Sequence, residues 1–573
     1  GRRTAGETVG NGLRLGPVLR NVTETSATIW VETTAPGRVT VTAGDLSASA
    51  DTFEVHGHHY ALCDLTGLRP GQAVEYRVSV DGAPVWPEAD SPHPPSLLRV
   101  PDPSAPQRLL FGSCRTPTDH GPAAVARYGA DVLRAYALRL AESRRAADGA
   151  AEEPTALLLI GDQVYADEIQ QPMREYLAAR RARTSADSLR PPDDEVVFFD
   201  EYAELYRLSW SDPDVRWLLS TVPTLMLFDD HDIRDDWNTS GTWRREIAEN
   251  PWWRHRITSG LGSYWVYQHA GNLSPAQRAA DPVWRALRDG GGAALDEFAW
   301  RAHEEPSSYR WSHSHTFGRS RVLMVDTRCG RDVADDRARS MLGPAGERWL
   351  DESLTGDVDH LVVASTLPFL LPKGVHYLEA WNEAVCAGAW GGWLRGPGER
   401  LRQALDLEHW AAFQRSFASV AEAVLEVAGG ARGAAPASVL FLGGDVHFSY
   451  LARARPRGRR ATDTVVAQLV CSPLCNWLPP AMRRMTWLSA RAVAGLCCRV
   501  LAALAGVRAP ALDWRLDDGP WYDNALATLV LDGRSAAVRW EHSPVARTAL
   551  LAAARSGVRP PVRELAAHRL TRG

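Results

Sequence analysis

At 573 residues the chain is too long for one ordinary hydrophobic core, so two or three units are expected. Its 45% hydrophobic and 23% charged residues are the balance of a soluble globular protein, and a formal net charge of -5 gives no reason to expect nucleic acid, whose recognition demands a basic face. A small molecule is the expected partner.

The chain starts with Gly1-Arg2-Arg3 and a polar, Gly-rich stretch rather than an apolar core, so no signal peptide is legible and a cytoplasmic location is expected. From about 13 to 100, short alternating runs (ATIWVET, RVTVTA, VEYRVSVDG) separated by Gly, Pro and Asp predict a small β-sandwich. Its stretch GLRPGQAVEYRVSVDG resembles the late strands of fibronectin-type modules. His56, His58 and His59 have no carboxylate or thiol at ligand spacing and are expected at the surface or between domains. A Pro-rich linker follows, from Pro92 to Pro106.

From Arg108 the pattern changes to apolar runs (RLLFGS, ALLLIGD, TLMLFDD, RVLMVDT, LVVAST, VLFLGGD) alternating with helical stretches. That order predicts an α/β fold, a layered αββα sheet core. Ser312-His313-Ser314-His315 falls on a strand or hairpin, where exposed imidazoles are expected. Residues 377–417 read as a Trp- and Glu-rich helical insertion whose Trp381, Trp390 and Trp393 are candidates for core or for a substrate-pocket wall. Between Met485 and Leu512, Arg491, Arg499 and Arg508 interrupt every run of about 18 apolar residues, which predicts a buried or amphipathic helix and no membrane span. The eight cysteines lack the spacing of a disulfide scaffold and are expected to be reduced, mostly as small buried hydrophobes. The chain thus divides into a β-sandwich with its linker (1–105), an α/β unit (106–545) and a helical tail rich in Arg and Ala (546–573).

Four polar clusters end the apolar runs: Ser113-Cys114-Arg115, Gly161-Asp162-Gln163-Val164-Tyr165, Asp229-Asp230-His231-Asp232 and Gly443-Gly444-Asp445-Val446-His447. In layered sheets, ligands collect at the carboxyl ends of strands. Carboxylates, a thiol, a phenol and imidazoles delivered there are donors for metal ions, and a pair of cations about 3.5–4 Å apart is suited to in-line displacement at phosphorus. Asp162 is the candidate bridge between them. A phenolate, a thiolate and an imidazole together suit iron in its ferric state.

The set SCR, GDxxY, DDHD and GDVH resembles the alkaline phosphatase D family of metallophosphatases, related to purple acid phosphatases in the calcineurin-like superfamily, over roughly Arg108 to Glu541. The resemblance implies iron held by Cys114, Asp162, Tyr165 and His447, with Asp162 shared with a second ion that also takes Asp230 and Asp445. Purple acid phosphatases carry GNH and GHxH at the corresponding motifs, so carboxylates here replace an amide and an imidazole, and hard oxygen donors favour calcium, with Mn, Zn or Mg as substitutes. The superfamily's further histidine is absent where STLPFLLP stands. By the same resemblance, His231 faces the phosphate and assists the leaving oxygen, and Arg115 pairs with a phosphate oxygen. Asp232 is a candidate to orient His231. The expected activity is metal-dependent hydrolysis of phosphate mono- or diesters by in-line attack of a metal-bound hydroxide. The alternatives are a phosphotriesterase or specialised metabolic phosphatase on the same centre, or a metal-binding module without turnover.

Overall fold

The computed structural model describes residues 11–146, 152–184, 189–334, 338–458, 462–543, 555 and 560–571. The N-terminal strands form two antiparallel sheets that enclose a core including Leu19, Ile29, Val41 and Val78. This sandwich is firmly docked. Arg20 is fully buried and donates to the carbonyls of Thr224, Tyr267 and Gln268, while the Trp30 indole donates to the Val266 carbonyl at 3.0 Å. His56 pairs with Asp296 and His58 with Asp200, so two of the three N-terminal histidines lie between the sandwich and the rest of the chain. The Pro-rich segment is likewise tied down, its Leu97–Arg99 strand pairing with Ala73–Val80 and Ser96 bonding Ser220 at 2.6 Å.

The remainder is built on two sheets. One has three parallel strands at its centre and edge, Gln107–Gly112, Ala156–Ile160 and Thr224–Leu227, continued by the antiparallel C-terminal strands Ala525–Asp532, Ser535–His542 and Arg563–Arg569. Ala156–Ile160 is apolar and buried at every position, as a strand covered on both faces must be. The other sheet places Ser320–Val325, His360–Ser365, Ser438–Gly443 and Val465–Val470 in parallel. Phe111, Ile160 and Leu227 of the first sheet share one buried core with Met324, Ala364 and Leu442 of the second. Helices such as Val132–Ala146 and Gln414–Ala428 cover the outer faces. This is the expected layered α/β core.

Two expectations change. The tail read as helical carries instead the strand Arg563–Arg569, which extends the first sheet; residues 546–554 and 556–559 lie outside the described residues. Pairing with Ser535–His542, burial of Leu570 and a 2.8 Å bond from the Ala536 amide to Thr571 outweigh the helix propensity of an Ala- and Arg-rich run. Second, His313 is buried and contacts the His315 ring at 2.7 Å, so the Ser312-to-His315 pair faces the interior because the hairpin packs under His269 and Asn21. Burial holds both imidazoles below their ordinary pKa, His315 at about 4.

Candidate metal centre

All four clusters meet at the carboxyl ends of adjoining strands. The Ser113 hydroxyl accepts the Asp445 amide at 3.1 Å, which stitches the loops of the two sheets together, and within the second sheet the Gly444 amide donates to the Thr366 carbonyl at 2.8 Å. Four of the candidate ligands hold left-handed backbone conformations: Cys114 (φ 59°), Asp162 (50°), Asp445 (66°) and His447 (56°). Non-glycine residues rarely adopt this region, and such strain collects at functional sites.

Donor atoms of Cys114, Asp162 and His447 lie within 4.8 Å of one another, and so do those of Asp162, Asp229, Asp230 and Asp445. Asp162 belongs to both groups, the position expected of a bridge. The Cys114 thiol reaches Asp162 Oδ2 at 3.2 Å. The buried oxygens Asp162 Oδ1, Tyr165 Oη, Asp229 Oδ2 and Asp230 Oδ1 have no hydrogen-bond partner, although buried polar atoms are normally satisfied. Cations would satisfy them, so the residues present fit a metal centre on geometry and on donor chemistry.

The electrostatics agree. Burial, and then the Asp445 charge, push the Cys114 thiol up to about 12, while burial lowers His447 to about 4 and leaves a neutral imidazole able to coordinate. Burial also raises Asp230 to about 6 and lifts Asp162 and Asp229 well above the carboxylate range. Carboxylates crowded in a dry site resist ionising together, and cations remove that penalty.

His231 is held by Asp167, whose carboxylate oxygens lie 3.0 and 3.2 Å from Nδ1, and its ring tilts against Tyr165 with centroids 4.8 Å apart. Burial alone would lower its pKa, but the Asp167 charge and hydrogen bond raise it well above 6.5. A His231 ring nitrogen also falls within 4.8 Å of donors on Asp162 and Asp230, which puts the imidazole at the cluster. Asp232, expected to orient it, is occupied with the amides of Asp229 and Val164 and so shapes the loop.

Arg115 is the clear departure. Its Nε and Nη2 donate to Asp131 Oδ2 at 2.9 and 2.7 Å, and its Nη1 donates to the Ser209 carbonyl at 2.7 Å. The side chain is buried and its donors are taken up by the ion pair with Asp131 and by the Ser209 carbonyl. The guanidinium beside the acidic cluster is that of Arg328, fully buried, bonded to Asp229 and Glu408 and lying 3.3 Å from Asp230 Oδ1 and 3.9 Å from Asp445 Oδ1. The insertion reaches the site through Glu408 and His409. His409 bridges Glu379 at 2.7 Å and Asp445 Oδ2 at 3.1 Å, so an imidazole does stand beside the second group, although it comes from the insertion and not from the end of LVVAST. The insertion's tryptophans do not make this contact: Trp381 packs on Trp390, and Trp393 is 77% exposed.

Sequence reasoning therefore named Asp229 only as a member of its cluster, without a role, and missed Asp167, Arg328, Glu408 and His409. Asp229 and Arg328 carried a readable signal, since both sit beside other polar residues at the ends of apolar strands, TLMLF and RVLMV.

A family model for PhoD-like phosphatases matches residues 141–485, more than half of the sequence. The chain belongs to the PhoD-like phosphatase family. It is a phosphoric ester hydrolase, and the acidic and histidine clusters are those of a metallophosphatase. The matched span of this PhoD-like phosphatase contains Asp162, Tyr165, Asp230, His231, Asp445 and His447, while Cys114 precedes it. Residues 10–98, the sandwich, match a domain of unknown function, DUF7800. A solved structure of PhoD aligns with 99% of this chain and 92% of its own, with a TM-score of 0.59 at 12% identity, a likeness of fold. The purple acid phosphatase PPD1 from yellow lupin (Lupinus luteus) seeds aligns over 97% and 74%, with a TM-score of 0.45 at 10% identity. No curated protein matches.

Proposed function

We propose that this phosphatase hydrolyses phosphate mono- or diesters with iron held by Cys114, Asp162, Tyr165 and His447, and with calcium held by Asp162, Asp230 and Asp445. The reading is carried by the one buried carboxylate, Asp162, that serves both a sulfur- and nitrogen-containing donor group and an all-oxygen one. Thiolate and imidazole suit a transition metal, and carboxylates suit a hard cation. Such ions, when bound, activate water at neutral pH and offset charge on the phosphoryl oxygens.

The chain's own residues supply the rest. Asp167 orients the His231 ring by accepting from Nδ1 and favours its protonated form, so His231 is placed to give a proton to the departing ester oxygen. Arg328 balances the negative charge of Asp229, Asp230 and Glu408. His409 restrains Asp445, and the Ser113 hydroxyl holds the Asp445 backbone.

The test is elemental analysis of the purified protein, coupled to hydrolysis rates for p-nitrophenyl phosphate and bis-p-nitrophenyl phosphate. Stoichiometric iron with calcium, and activity lost on chelation, are expected. A metal-free protein with undiminished turnover contradicts the reading.

A further inference from the structure

Eight of the ten large apolar side chains that stand exposed among the described residues lie on one bent helical hairpin, Pro480–Ser489 and Ala492–Leu504. On the second helix, Val493, Leu496, Val500 and Leu504 recur every three or four residues and form one face, with Val493 72% and Leu504 71% exposed. The opposite face packs on the helix Lys373–Ala387, where Gly495 approaches Lys373 so closely that an added Cβ would stand 3.1 Å from its side chain. A helix of a globular protein normally turns its apolar stripe inward. Here the stripe faces outward.

The charge of this segment is equally one-sided. From Pro479 to Leu512 there are five arginines and no Asp or Glu, in a chain of net charge -5. Arg484, Arg491, Arg499 and Arg508 are exposed, and the Arg491 guanidinium lies 3.6 Å from the centroid of the exposed Trp487 ring. Neither helix is long and apolar enough to cross a membrane, and the two bend by 67°. Apolar stripe, interleaved arginines and an indole are the features of a helix that lies in a bilayer interface.

We propose that this hairpin docks on an anionic lipid bilayer, its aliphatic face among the upper acyl chains and its arginines at the lipid phosphates. Charge selects this occupant over a second copy of the chain, because a two-fold contact through the same patch would bring two sets of arginines together. Docking would bring the metal centre near the membrane. Thr486 on the first helix bonds the Tyr522 hydroxyl at 3.1 Å, and the Tyr522 ring meets Phe448, the neighbour of His447, at 6.1 Å.

The test is co-sedimentation of the full chain with sonicated vesicles of phosphatidylcholine alone or with about 30% phosphatidylglycerol, which gives them a strong negative surface potential. The Leu496→Glu/Val500→Glu double variant is assayed in parallel, with p-nitrophenyl phosphate turnover and circular dichroism as folding controls. Each arginine near an anionic surface contributes about fivefold in affinity, so binding to the anionic vesicles should exceed that to the neutral ones by at least about tenfold and weaken in high salt. The double variant should bind at least about tenfold less with soluble-ester turnover unchanged, because each buried aliphatic side chain adds to interfacial binding. Absence of binding to either vesicle, equal binding by the variant, or a wild-type dimer that the variant converts to monomer would overturn the proposal. Turnover on the soluble ester, read separately, keeps this outcome distinct from that of the phosphatase reading.

Discussion

The proton at His231 is held chiefly by Asp167, 64 positions earlier in the chain and bonded to Nδ1 at 3.0 Å, with the Asp230 and Asp162 charges adding to it. Asp167 also accepts the Asp235 amide at 2.6 Å, so the loop after the DDHD cluster fixes its position. Removing the imidazole in His231→Gln should lower kcat by about 10² to 10⁴ with little change in KM, the range for loss of general-acid help. In Asp167→Asn a smaller loss is expected, together with a shift of the pH-rate profile toward lower pH as the ring loses the partner that keeps it charged. Steady-state kinetics across pH, with bound metal assayed in each variant, checks this; unchanged kcat in His231→Gln would remove the ring from the chemistry. Cys114, Asp162, Tyr165, Asp230, Asp445 and His447 were legible because each lies at or just past the end of a strongly apolar run. Arg115 misled for the same reason. Adjacency in sequence to Cys114 does not determine where a long side chain points, and Asp131 captures it. Asp167 and His409 were unreadable because distant segments bring them to the site.

At the scale of elements, the site depends on how closely two strand-end loops approach. A Cβ on Gly444 would stand 2.3 Å from Ser113 Oγ and 2.6 Å from Ser113 Cβ, so no side chain fits between the Ser438–Gly443 strand end and the loop that carries Cys114. Gly444→Ala should force these loops apart, at about 1–3 kcal/mol of overpacking, and leave Cys114 and Asp445 misaligned. Thermal unfolding and metal analysis of the variant are expected to show a lower Tm and metal content well below that of wild type. Retention of full metal content would show that the approach is not needed. The parallel strands were readable as runs of buried apolar residues, whereas the C-terminal strand Arg563–Arg569 was not: its alternation is weak, and its pairing with Ser535–His542 comes from the tertiary fold.

For the whole molecule, burial of ionisable groups links stability to pH. His376 is 1% exposed, packed among the rings of Tyr377, Phe417 and Trp514, and neither ring nitrogen has a partner; burial, and then the Lys373 charge, hold its pKa at about 3. The unfolded chain binds this proton near the ordinary pKa of about 6.5, so between there and about 3 it takes up more proton than the folded one. The contribution of His376 is therefore complete above about pH 6.5 and is lost as the pH falls, by about 1.4 kcal/mol per pH unit. Urea unfolding of wild type and His376→Phe should show the variant gaining on wild type at about that slope between pH 6 and 4; parallel stability curves would contradict this. Close packing likewise brings the two sheets and the insertion together around one candidate metal centre, to which each sends residues. That centre is tested most directly by the metal content and phosphatase activity of wild type beside Asp162→Asn, the carboxylate shared by both donor groups. Stoichiometric iron and calcium in wild type, with both metals and turnover lost together in the variant, are the predicted result; a variant that keeps its metals and its activity, or a metal-free wild type that turns over normally, would contradict it.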